Sequence, residues 1–81
     1  MIASTSPDKS IDLRGLACPL NYVRCCLAIE ELSSSEYLEV FLDIGEPEEM
    51  VVSGLKDGGH SVEIIQKNSH WVRLMVACGN R

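Results

Sequence analysis

Eighty-one residues make one small domain, near the lower end of what folds alone on a hydrophobic core. A hydrophobic fraction of 46% argues against disorder, and a formal net charge of −5 argues against direct contact with nucleic acid or an anionic membrane. No apolar run reaches transmembrane length. The N-terminus lacks the basic start and long apolar stretch of a secretory signal, so residues 1–9 are expected as a flexible tail ahead of one domain, 10–81.

Ser10 to Arg14 alternates polar and apolar residues and predicts a short strand, followed by the tight link Gly15-Leu16-Ala17. Pro19 suits a first helical position, which places Cys18 at the N-cap. The helix is predicted over Pro19–Leu32, with Tyr22, Cys25, Cys26, Ile29 and Leu32 on its core face and Asn21, Arg24 and Glu31 on the other. Ser33-Ser34-Ser35 ends it. Tyr37–Asp43 is the clearest strand, with Leu38, Val40 and Leu42 pointing one way.

Gly45-Glu46-Pro47 opens a second helix. Glu46, Glu48 and Glu49 suit its positive end, Met50, Val51, Val52 and Leu55 supply its buried stripe, and Gly58-Gly59 stops it. His60–Gln66 is a third strand with Val62 and Ile64 inward. Lys67-Asn68-Ser69 turns the chain, and His70–Cys78 is a fourth strand with Val72, Leu74 and Val76 inward. The order β-α-β-α-β-β predicts an α+β two-layer sandwich. A parallel strand–helix–strand unit and an antiparallel hairpin share one four-stranded mixed sheet, with both helices on one face. The other face carries Tyr37, Phe41, Ile65, Trp71 and Met75, with Glu39, Glu63 and Arg73 among them. It is either a solvated face or a surface for a partner or a second copy.

Without an export signal the chain is expected in the cytoplasm, where Cys18, Cys25, Cys26 and Cys78 remain thiols. No Cys-x-x-Cys occurs, and His60 and His70 are distant in sequence, so no metal or cofactor is expected. Cys25 and Cys26 lie mid-helix, where a free cysteine behaves as a small hydrophobe, and the role of Cys78 is open. Cys18 differs. At a helix N-terminus a thiol faces unpaired backbone N–H groups and the positive end of the dipole. Both favour the thiolate and would favour an anionic persulfide. Gly15 leaves access to the site, and Arg14 is placed to add positive charge.

The run Ile11-Asp12-Leu13-Arg14-Gly15-Leu16-Ala17-Cys18-Pro19-Leu20 resembles the signature of the TusA/SirA-like family. That resemblance implies the same two-layer β-α-β-α-β-β fold and a persulfide carried at a Cys-Pro-x-Pro motif. Cys18 would then be the sulfur-bearing residue and Pro19 the helix-opening proline. Asn21 replaces the second proline, and together with Gly45-Glu46-Pro47 this is similar to a Cys-Pro-Leu-Asn branch of the family. Well-known members relay sulfur toward tRNA thiolation, but the departure at Asn21 prevents transfer of their partners.

The leading expectation is a sulfur carrier that takes sulfane sulfur from a donor protein on Cys18 and passes it to an acceptor protein. It would be a sulfurtransferase in the sense of supplying one nucleophile. Two other readings stand beside it. One is a small regulatory module that binds a partner, or pairs as a homodimer, through the open sheet face. The other is a thiol redox sensor, disfavoured because no resolving cysteine is near Cys18 in sequence.

Overall fold

Strict alternation in the central strands builds one sheet. In the computed structural model, which describes residues 6–33 and 35–78, β1 (Lys9–Asp12), α1 (Leu20–Glu30), β2 (Tyr37–Asp43), α2 (Glu46–Asp57), β3 (Ser61–Lys67) and β4 (Trp71–Ala77) follow in chain order. The sheet order is β1-β2-β4-β3. β1 and β2 are parallel, with Ile11 opposite Val40, and β4 runs antiparallel to both neighbours. This is the expected α+β two-layer arrangement, with both helices on one face.

Asp8 and Lys9, expected in the tail, are tied to the sheet. The Asp8 N–H donates to the Tyr37 carbonyl at 2.9 Å, its carboxylate accepts the Tyr37 N–H at 2.8 Å, and Lys9 opens β1. Residues 1–5, Ser34 and residues 79–81 lie outside the described residues. Among the described residues no helix is long and apolar enough to cross a membrane.

The core lies between sheet and helices. Leu38, Val40 and Leu42 of β2 and Val72, Leu74 and Val76 of β4 are fully buried against Cys25 and Ile29 of α1 and Val51 and Leu55 of α2. The β3–β4 turn is closed by Asn68, whose side-chain oxygen accepts the N–H groups of His70 and Trp71 at 2.8 and 2.9 Å.

Three packing expectations are corrected. Met50, predicted in the buried stripe of α2, is 56% exposed; that stripe is Glu48, Val51 and Leu55, with the Glu48 carboxylate accepting from Lys67 Nζ at 3.0 Å. Ile64 lies opposite buried Leu74 yet is 49% exposed, because β3 is an edge strand and α2 leaves its outer side uncovered. Met75 falls on the open face as predicted but is buried, because it sits in the central pair of strands between Glu39 and Glu63.

Cys25 is part of the core, as expected. Burial, reinforced by the neighbouring Cys26, pushes its thiol from the ordinary value of 9.0 up to about 12. The folded chain therefore holds this proton after the unfolded chain has released it. The stability Cys25 contributes through this proton is complete below pH 9 and lost as pH rises toward 12. In chemical unfolding across that interval, wild type is expected to lose more stability than Cys25→Ala. At neutral pH, Cys25→Ser is expected to cost on the order of 1–3 kcal/mol, because the added hydroxyl lacks an assured partner. Parallel curves for wild type and Cys25→Ala would refute the burial argument.

Candidate functional site

The loop joining β1 to α1 is fixed at successive points. Leu13 is buried and donates its N–H to the Phe41 carbonyl at 2.8 Å; Leu16 N–H turns back to the Leu13 carbonyl at 3.2 Å. Gly15 is the third residue of that turn and has φ +85°, a conformation in which a Cβ is strained. Its N–H donates to the Asp43 carboxylate at the end of β2, at 2.8 Å. Gly15 thus shapes the turn that leads to Cys18.

α1 begins one residue later than the sequence predicts. Its N-cap is Pro19, whose carbonyl accepts the Val23 N–H at 3.0 Å, so Cys18 stands just outside the N-cap. The Cys18–Pro19 peptide bond is cis. No side chain caps the helix. Asn21, predicted on the outward side, is instead fully buried. Its backbone N–H bonds to the Ala17 carbonyl at 3.2 Å, its side-chain oxygen accepts the Tyr22 N–H at 2.6 Å, and its amide donates a long 3.5 Å bond to the Leu16 carbonyl. The amide folds back onto the incoming loop, so an outward face is the wrong place for it.

Cys18 is exposed at the head of a groove of about 360 Å³ between α1 and α2, lined by Cys18, Pro19, Tyr22, Met50, Gly54 and Asp57. Gly54 is required there, since a Cβ would come within 2.6 Å of Tyr22 Cε1. The Tyr22 hydroxyl reaches the Gly54 carbonyl at 3.5 Å, and hydrogen bonding with Cys26 holds it above its ordinary phenol range.

Arg14 does not face this groove. Its guanidinium forms a bidentate pair with Asp12, at 2.9 and 2.7 Å, and lies over the rings of Phe41 and Trp71 at 5.3 and 5.6 Å. Those rings meet edge to face at 5.7 Å on the opposite side of the sheet from the helices. The charge expected beside Cys18 is held there by cation–π contact and by Asp12, whose carboxyl the Arg14 hydrogen bonds keep below its usual range.

The remaining thiols differ from Cys18. Cys25 is buried, while Cys26 and Cys78 are part-buried. Among the described residues no three His, Cys, Asp or Glu side chains converge as a metal site. Sequence reasoning missed two positioning residues. Asp43 was legible only as a polar end to a hydrophobic strand. Gly54 was legible as a glycine inside a helix, where its cost of about 1 kcal/mol calls for a packing reason.

The family model described as Sulfurtransferase TusA matches residues 9–77. YrkI of Bacillus subtilis (strain 168), described as a candidate sulfur carrier protein, is 38% identical over 55 residues, covering 68% of this chain and 73% of the relative. A protein of Archaeoglobus fulgidus, also described as a candidate sulfur carrier, is 32% identical over 60 residues, covering 74% of this chain and 68% of the relative. The solved structure of a SirA-like protein from Desulfitobacterium hafniense superposes with a TM-score of 0.74 at 20% identity, covering 89% of this chain and 99% of that one. At that identity the likeness establishes the fold alone.

Removing the Asp43 carboxylate should release the Gly15 N–H. Asp43→Ala is expected to cost about 1 kcal/mol in urea unfolding and to speed Gly15 amide exchange, while Asp43→Asn, which keeps an acceptor oxygen, should recover part of both. Unchanged Gly15 exchange in Asp43→Ala would show that the carboxylate does not fix the loop.

Proposed function

This chain belongs to the TusA sulfurtransferase family of sulfur carriers, and from that premise we propose that it holds sulfane sulfur as a persulfide on Cys18 and relays it from a donor protein to an acceptor protein. The observation that carries this reading is the contrast between thiols. Cys18 is exposed at the head of α1, whereas burial pushes the Cys25 thiol up to about 12.

The chemistry needs one nucleophile and no oxidant. The Cys18 thiolate attacks the outer sulfur of a donor cysteine persulfide. The donor's S–S bond breaks, a new S–S bond forms on Cys18, and the electron pair leaves on the donor's inner sulfur as a thiolate. An acceptor thiolate then attacks the outer sulfur on Cys18, and Cys18 departs as the thiolate. Asn21 and Tyr22 donate their N–H groups to the Ala17 carbonyl and the Asn21 side chain, so it is the positive end of the α1 dipole that favours each anion. Pro19, Tyr22 and Met50 give the groove apolar walls that shield the sulfur from bulk water on one side.

The test is to load the reduced protein with a cysteine desulfurase and cysteine, and separately with inorganic polysulfide, then alkylate and map the products by mass spectrometry. The added sulfur is expected on the peptide containing Cys18 and should fall to background in Cys18→Ala. Label on Cys78 or on the Cys25-Cys26 pair, or label persisting in Cys18→Ala, would overturn the assignment.

A further inference from the structure

A second groove lies outside the Cys18 site, on the other flank of α1. It encloses about 570 Å³, with an apolar floor of Ile11, Leu13, Leu20, Val23, Leu27 and Ala28. The charged Asp12, Arg24 and Glu31 stand at its rim, Glu31 accepting from Lys9 Nζ of β1 at 2.6 Å. Leu20, Val23 and Leu27 are 46%, 46% and 58% exposed and recur at helical spacing. Four-residue β1 forms the other wall and is an edge of the sheet; among the described residues it pairs with β2 alone.

The phase of that pairing decides what the edge offers. The Leu13 N–H donates to the Phe41 carbonyl, and the Tyr37 carbonyl also faces β1. In the register that runs from Lys9 opposite Leu38 to Asp12 opposite Phe41, the backbone groups of Lys9 and Ile11 therefore face β2. Alternation then turns the N–H and C=O groups of Ser10 and Asp12 outward. An unpaired strand edge beside a row of exposed apolar side chains is the arrangement that receives an added strand. Its backbone bonds the edge, and its alternate side chains fill the groove.

We propose that the β1 edge and the Leu20-Val23-Leu27 groove receive an extended, apolar segment of the sulfur-donor protein, which adds to the sheet as a fifth strand. This rests on the Cys18 reading. The groove begins at Leu20, next to Pro19, so a chain lying in it continues directly to Cys18. That continuity favours a donor over a second copy, since a second copy seated there would crowd the sulfur it must expose. The net charge of −5 on each chain also opposes self-pairing.

Two variants and one measurement test it, using the cysteine desulfurase that loads the wild-type chain. Val23→Glu puts a charge in the groove. Ser10→Pro removes an N–H that faces away from β2, where an edge strand tolerates proline. Both are expected to load from inorganic polysulfide at the wild-type rate, and from subsaturating desulfurase about ten-fold more slowly, the scale of losing one interface hot spot. In the wild-type complex, amide exchange at Ser10 and Asp12 is expected to slow.

Wild-type loading of both variants by the desulfurase, or unchanged exchange at Ser10 and Asp12, would overturn the proposal. So would concentration-dependent dimerisation abolished by Val23→Glu. If Ser10→Pro fails to fold, Val23→Glu and the wild-type exchange decide. Failure of Cys18 to load from polysulfide would instead sink the carrier reading, while the exchange measurement would still report on the edge.

Discussion

The hydrogen bond from the Gly15 N–H to the Asp43 carboxylate fixes where the reactive thiol stands. Parallel pairing of β1 with β2 brings the carboxyl ends of both strands to one side of the sheet, and a crossover helix must begin there. Asp43 ends β2 at that side and reaches the loop leaving β1. A left-handed glycine and a turn from Leu13 to Leu16 then leave Ala17, Cys18 and Pro19 to span the distance to α1. The sulfur consequently sits beyond the carboxyl ends of two adjacent parallel strands, where open α/β sheets present their sites.

Environment then divides four chemically identical side chains. Cys25 sits one and a half turns into α1, under β2 and β4, where the anion is disfavoured strongly enough to keep the thiol protonated far into the alkaline range. Cys18 precedes the same helix and is exposed to solvent. The open sheet face is held by polar contacts. Arg14 lies on Phe41 and Trp71, and Glu39 accepts from Arg73 at 2.6 Å and from Ser10 at 2.8 Å. Burial raises the Glu39 carboxyl, but these hydrogen bonds outweigh it and leave the group below its ordinary range.

Where a signal was local and periodic, the sequence was sufficient. The alternation of Leu38, Val40 and Leu42 and of Val72, Leu74 and Val76 defined the two central strands and the side their core lies on. Gly45-Glu46-Pro47 and Gly58-Gly59 bounded α2 to within a residue. Cys18 and Gly15 were legible from spacing, because a helix start and a tight turn impose residue types. Asn21 was not. A helical wheel assigns faces by angle, whereas Asn21 is buried by an amide contact to Leu16, which precedes the helix. Arg14 was misplaced because proximity in sequence says nothing about which side of a sheet a long side chain crosses. Met50 and Ile64 were misjudged because exposure depends on where a neighbouring element stops.

A carrier works under a constraint that an enzyme with an enclosed site does not share. With the sulfur on Cys18, as proposed, two proteins must reach it in turn, and the exposed side chain beside an open groove suits that demand. Shape around the sulfur can then supply little discrimination, because whatever admits the donor must also admit the acceptor. Selectivity must come from surfaces farther out, contacted by one partner at a time and released after transfer. Eighty-one residues leave few such surfaces once a two-layer core has been covered. On the proposed reading, Leu20, Val23 and Leu27, exposed on a helix whose opposite face is buried, are such a surface, and burying them would remove it.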